Sequence, residues 1–244
     1  MSWRKLVPKP LRSAYWGLRN TVGLKALARR LAPTRAKQAA ELAYWRSRWE
    51  QEGRNLGNSH YEKLMLAMAG EKDASFLAGK VVADFGCGPR GSLCWATQAK
   101  ARIGIDVLAD AYAEFGIDRH DMSYVRCTER SIPLPSGHVD VLFTLNALDH
   151  VAHFEVMCRE ILRVLRPGGD FIGSINLGKS STISEPQCLT AQGVQDCLLS
   201  HLKVGLYRLA PKGPEEDTYR YFFEEPPEKE WTPRILWVRA GKTL

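Results

Sequence analysis

Two groups of side chains in this sequence have the types and spacings that do chemistry. The first is Val81-Val82-Ala83-Asp84-Phe85-Gly86-Cys87-Gly88-Pro89-Arg90-Gly91-Ser92, an apolar run entering a glycine-rich turn. Glycines at 86 and 88 let the backbone pass close to a ligand and turn its N–H groups toward it. Asp106, in Gly104-Ile105-Asp106-Val107, stands where a carboxylate can accept both hydroxyls of a ribose. Gly86, Gly88 and Gly91 also satisfy the G-x-G-x-x-G of dinucleotide-binding turns. Asp84 argues the other way, because a carboxylate just before the first glycine suits a ligand carrying an ammonium group better than a pyrophosphate. The second group is Leu145-Asn146-Ala147-Leu148-Asp149-His150-Val151. An imidazole ordinarily titrates near about 6.5 and suits proton transfer, and Asp149 beside it can orient it. The alternative is that His150 caps or packs at the start of the next helix while Asp149 faces solvent.

Elements that could position these groups follow from the hydrophobic pattern. Lys80–Phe85, Ala101–Ile105, Val139–Leu145 and Asp170–Ile175 are short, β-rich and bounded by turn residues. Ser92–Lys100, Leu108–Phe115 and His153–Leu165 read as helices between them. Such alternation predicts βαβ units, a parallel sheet covered on both faces, and ligand binding at the carboxyl ends of its strands. Toward the end, Ala191–Leu202 reads as a helix and Lys203–Leu209 as a strand. An acidic loop over Pro214–Glu230 and a last strand at Arg234–Arg239 suggest an antiparallel hairpin at one sheet edge. Ahead of all this, Leu42, Trp45 and Trp49 recur at helical spacing in Ala36–Glu52, and His60–Ala69 looks helical.

Composition narrows the class. The 244 residues are 45% hydrophobic and 25% charged, ordinary for a globular chain with a sizeable core, which excludes a disordered, collagenous or disulfide-dominated protein. No stretch approaches the roughly 18 continuous apolar residues of a membrane span. The six cysteines form no C-x-x-C pair and no secretory signal precedes them, so reduced thiols in a cytoplasm are expected. The net charge of +7 is uneven: residues 1–54 hold 13 Lys/Arg against three Glu, and the remainder is slightly acidic.

Several motifs in register give the chain a family likeness over about residues 60–240. They are Asp84-Phe85-Gly86-Cys87-Gly88, the acid Asp106, the Ile132–Asp140 segment (IPLPSGHVD) entering a strand, and Arg163-Val164-Leu165-Arg166-Pro167-Gly168-Gly169. On these residues the chain resembles the class I S-adenosylmethionine-dependent methyltransferases, specifically the small-molecule branch called type 11. The resemblance implies an α/β fold, a Rossmann-like doubly wound seven-stranded sheet with its last strand antiparallel. It implies S-adenosyl-L-methionine as cofactor, with Asp84, Phe85, Gly86, Cys87 and Gly88 among its binding residues and Gly86 and Gly88 packed against its methionine part. Asp106 would hold the ribose, Val107 would touch the adenine, Thr128 and Glu129 would lie beside its edge, and Asn146 would sit near the sulfonium. Asn146-x-x-Asp149-His150 is similar to the E-x-x-E-H cluster of metal-dependent relatives, but Asn is a poor first ligand for a divalent ion, so no metal is expected.

The chain thus divides into a basic helical extension, residues 1–57, and a methyltransferase domain, residues 58–244. No Asp or Glu precedes Glu41, whereas ten Lys/Arg do. A basic amphipathic helix between Leu11 and Leu31, bearing Tyr15 and Trp16, would pack on the domain as a lid or lie on an anionic membrane surface. The expected reaction is methyl transfer to a small-molecule or glycan-precursor acceptor, at oxygen, with His150 as base. Alternatives are a non-catalytic cofactor-binding module and an RNA methyltransferase anchored by the basic N-terminus. A nucleic-acid substrate is disfavoured by the absence of an N-P-P-Y-type tetrapeptide.

Overall fold

The computed structural model describes residues 33–178, 186–214, 217–226, 228 and 231–244. Seven strands among them form one sheet: β1 (Val81–Phe85), β2 (Ala101–Asp106), β3 (Ser123–Arg126), β4 (Val139–Leu145), β5 (Leu165–Asn176), β6 (Leu202–Ala210) and β7 (Ile235–Lys242). Their order is β3-β2-β1-β4-β5-β7-β6. Strands β1 to β5 pair in parallel, and β7 runs antiparallel between β5 and β6. This is the doubly wound sheet implied by the resemblance, and β6 with β7 is the hairpin expected at one edge.

Burial explains which strands take the centre. Four consecutive residues of β1, Val82 to Phe85, are buried, as a strand covered on both faces requires. On one face lies helix α3 (Phe154–Val164), whose Phe154, Met157, Cys158, Ile161 and Val164 recur at helical spacing and pack with Ala83, Ile105, Leu142 and Phe171. Helix α4 (Ala191–Cys197) contributes Val194 to the same cluster. On the other face, helix α2 (His60–Ala69) buries Leu64, Met65 and Met68 against Val82, Phe143, Ile172 and Trp237. The chain leaves β1 toward β2 and β3, then returns to β4 on the other side. That reversal between β1 and β4 opens a crevice at their carboxyl ends.

Helix α1 (Pro33–Gln51) belongs to a third cluster. Its Leu42, Trp45 and Trp49, the stripe visible in the sequence, pack on Leu56, Leu108, Tyr112 and Phe115. The last three come from the 3-10 stretch Ala109–Phe115 and the residue before it, where the sequence suggested an α-helix.

The structure corrects further expectations: the helix read over Ala191–Leu202 ends at Cys197, with a 3-10 turn at Leu199–His201 before β6 starts at Leu202, and Arg220–Phe223 forms a short helical turn inside the segment read as a loop. Residues 92–100 form successive turns and not a helix. Gly91 is left-handed (φ +75°) and its carbonyl is taken by the Cys94 N–H and by the Asn58 side chain. The Ser92 hydroxyl donates to Asp84. These local bonds compete with helical ones, and the Gly79 and Lys100 amides tie the segment back beside β1. The basic helix expected between Leu11 and Leu31, with Tyr15 and Trp16, lies outside the described residues. No helix among the described residues is long and apolar enough to cross a membrane.

Candidate functional site

The crevice at the carboxyl ends of β1, β2 and β4 holds a cavity of about 480 Å³, within the range of small-molecule sites. Its floor and walls include Phe85, Gly86, Asp106, Val107, Thr128, Glu129, Asn146 and His150, so most of the motif residues converge on one space. Asp84, Cys87, Gly88 and Asp149 do not line it.

At the end of β1 the chain turns through Gly86, left-handed at φ +74°, whose N–H donates to the Ile105 carbonyl at 2.8 Å. A Cβ on Gly86 would land on the Cβ of Ala147. Only glycine fits both the angle and the approach. Gly88 is also left-handed, and a Cβ there would lie 2.7 Å from the Trp45 indole, so α1 and not open space covers this glycine.

Asp84 lies beneath the turn, 2% exposed. Its Oδ2 accepts the Ser92 hydroxyl at 2.5 Å, and its buried Oδ1 has no hydrogen-bond partner among the described residues. Burial pushes the carboxyl up to about 7, opposed by the Ser92 bond. Asp106 ends β2 and is held in place by two backbone donors: Gly88 N–H to Oδ2 at 3.1 Å and Leu108 N–H to Oδ1 at 2.9 Å. Burial raises its pKa while those amides lower it. Each oxygen keeps a second lone pair for a ligand hydroxyl. Thr128 closes a turn on Ser131, and Glu129 accepts Lys37 at 2.9 Å and the Ala152 N–H at 3.2 Å.

The second group sits across the cavity, after β4. Asn146 is a non-glycine residue at φ +51°, a strained angle of the kind that clusters at functional sites. Its N–H donates to the Ser174 carbonyl at 2.9 Å and its Oδ1 accepts the Ser174 hydroxyl at 3.1 Å, which fixes it to β5. The 3-10 turn Leu148–His150 follows. It buries Asp149, whose Oδ2 accepts Asn176 Nδ2 at 3.0 Å, and turns His150 toward the cavity. The solvent-facing alternative for Asp149 is therefore wrong: it is 1% exposed.

The cavity has walls that no motif announced. Lys37, Glu41, Tyr44 and Trp45 reach it from α1, and Lys212 and Thr218 from the segment between β6 and β7. Helix α1 is tied down at both ends. Lys37 pairs with Glu129, and Arg90, inside the glycine-rich segment, donates both guanidinium nitrogens to Glu52 at 2.7 and 2.6 Å while its guanidinium lies over Trp45. Glu52 is accordingly lowered to about 2 by that bond. The Leu42-Trp45-Trp49 stripe was the only sequence signal that this helix docks.

These residues fit an adenosyl sulfonium cofactor. A carboxylate with spare lone pairs stands at the end of β2, a close-approach glycine at the end of β1, and an unsatisfied buried carboxyl oxygen, Asp84 Oδ1, beneath the glycine turn. Among the described residues no group of three His, Cys, Asp or Glu side chains could hold a metal ion.

Comparison with known proteins agrees. A family model for a methyltransferase domain (Methyltransf_11) matches residues 83–173, from β1 to β5. No match was found among curated proteins. Among solved structures, an S-adenosylmethionine-dependent methyltransferase from Mesorhizobium loti is similar over 68% of this chain and 92% of its own, at 19% identity and a TM-score of 0.52. A Haloferax volcanii complex between the Trm112 methyltransferase activator and a methyltransferase supplies a second likeness, 80% of this chain and 96% of that one, at 16% identity and a TM-score of 0.54. The geranyl diphosphate C-methyltransferase of Streptomyces coelicolor A3(2), solved with Mg2+, geranyl diphosphate and S-adenosyl-L-homocysteine, covers 70% of this chain and 77% of its own at 17% identity and a TM-score of 0.50. At these identities the likeness is one of fold. Residues 83–173 carry the methyltransferase-domain match, and the seven-stranded sheet that contains them has the fold of these S-adenosylmethionine-dependent methyltransferases.

Proposed function

We propose that the protein transfers a methyl group to a hydroxyl oxygen of a small-molecule or glycan-precursor acceptor, with His150 as the base. The observation that carries this is the position of His150, which follows β4 and lines the same cavity as Gly86 and Asp106 at the ends of β1 and β2. When bound, the cofactor supplies a methyl already activated on a sulfonium. The chain's task is then to align the acceptor oxygen, exclude water and take up its proton. The acceptor hydroxyl proton passes to the His150 imidazole as its oxygen takes the methyl group that the bound cofactor would supply, leaving the demethylated cofactor as product. Asp149, buried and held by Asn176, acts as a positioning residue for the turn that presents His150. Asp106, Val107, Thr128 and Glu129 form the adenosine end and Asn146 the methyl-bearing end of the same cavity.

The test is release of demethylated cofactor with a panel of hydroxylated acceptors. His150→Ala should lower turnover by about 10²- to 10⁴-fold, the usual worth of a general base, with affinity for S-adenosylhomocysteine kept. Unchanged turnover removes the base. Binding of cofactor by the native chain with no transfer to any acceptor would favour a non-catalytic module instead.

A further inference from the structure

The roof of the cavity carries a carboxyl group that no motif accounts for. Lys37, Glu41 and Trp45 lie one turn apart on α1, so they share a face, and all three line the cavity. Trp45 covers Gly88 and Lys37 pairs with Glu129. Glu41 accepts no hydrogen bond among the described residues. The groups that face it are Asp106 from the end of β2, Glu129 from the segment after β3, Lys37 on its own helix, and the Tyr112 hydroxyl from the 3-10 stretch. Lys37 is shared with Glu129, so the roof and the adenosine end together hold more carboxyl groups than ammonium groups.

We infer that Glu41 is a cofactor-reading residue, whose carboxylate favours the positively charged S-adenosylmethionine over the neutral demethylated product. The inference rests on the adenosyl cofactor occupying this cavity, and not on the acceptor or on His150. In the free protein burial and the neighbouring Asp106 push Glu41 up to about 7, so near neutrality it is divided between charged and uncharged forms. A cationic ligand with ribose hydroxyls to donate stabilises the charged form and drives the proton off. Binding that needs the ionised form weakens in proportion to the fraction ionised. Between about pH 6 and pH 8 that fraction rises roughly tenfold, so affinity for S-adenosylmethionine should rise by up to about tenfold while that for S-adenosylhomocysteine changes less.

Calorimetric titration of the full chain with each ligand, in two buffers of different ionisation enthalpy, reads both the affinity and the protons released. Asp84 titrates in the same range, so the informative quantity is the difference between native protein and Glu41→Gln. The native protein should release a proton on binding S-adenosylmethionine below neutrality and prefer it increasingly as pH rises. Glu41→Gln should lose that increment in both readings, and Glu41→Asp should keep it. An identical proton count and pH slope in native protein and Glu41→Gln overturns the inference. If Glu41→Gln does not fold, Glu41→Asp decides: a displaced linkage midpoint supports the role, and an unmoved one overturns it. Failure of the native protein to bind either ligand refutes the cofactor site itself, a separate result.

Discussion

Gly86→Ala isolates the turn on which the site is built. The residue is left-handed at φ +74°, and a Cβ there would land on the Cβ of Ala147, whereas carbon atoms in contact settle at about 3.5–4.0 Å. Neither wall can give easily. Gly86 is tied to Ile105 by its N–H, and Ala147 follows Asn146, itself at φ +51° and bonded to Ser174. The left-handed angle costs an alanine about 1–2 kcal/mol, and forcing an extra methyl into a packed space costs about 1–3 kcal/mol. The sum, about 2–5 kcal/mol, is a large fraction of a typical domain's stability. At roughly 2–4 °C per kcal/mol for a chain of this size, Tm should fall by about 4–20 °C. The overlap share should be recoverable: adding Ala147→Gly to Gly86→Ala removes the clash but not the backbone strain, so the pair should regain about 1–3 kcal/mol. Urea denaturation of the four proteins measures this. A Gly86→Ala protein that melts with the native one, or an Ala147→Gly partner that recovers nothing, would refute the reasoning.

Two further outcomes follow from the charges. Asp84 keeps its proton to about 7 in the folded protein but releases it near 3.8 when unfolded. Its contribution to stability is therefore complete below the unfolded value and is lost as pH rises to the folded one. Asp84→Asn, which can still accept the Ser92 hydroxyl, should gain stability relative to the native protein between roughly pH 4 and pH 7 and hold that gain above it; a difference independent of pH across stepped denaturation curves contradicts this. Lys37 and Glu129 are 6% and 15% exposed at their side chains. Lys37→Met leaves Glu129 with the Ala152 amide alone and should cost about 3 kcal/mol, of which a second change, Glu129→Gln, should return most; additive losses in the double variant would show the pair to be uncoupled.

What could be read from the sequence follows from where each element sits. Strands β1, β2, β4 and β5 announce themselves because a parallel strand buried on both faces is a continuous apolar run. Strand β3 (SYVR) lies at the sheet edge with no buried residue, so no pattern marks it. Residues 92–100 look helical from Leu93, Trp95, Ala96 and Ala99, but the bonds made by Asp84 and Asn58 decide otherwise, and both partners lie outside the segment, Asn58 more than thirty residues before it. Site residues at strand ends, such as Gly86, Asp106 and Asn146, were legible because spacing along a βαβ unit determines where they meet. Glu41 and Lys37 were not, since which face of α1 meets which strand end is decided by the docking of Trp45 and Trp49. Gly88 illustrates the same limit: the motif identifies it, while only the fold shows Trp45 lying over it.

Titration of S-adenosylhomocysteine into native protein and into Asp106→Ala tests the cofactor site most directly. Two hydrogen bonds from ribose hydroxyls to a carboxylate are worth about 3–6 kcal/mol together, so the variant should bind at least about 100-fold more weakly than a native protein that saturates at one ligand per chain. Equal binding by both proteins, or no heat from the native protein at millimolar ligand, would contradict the account.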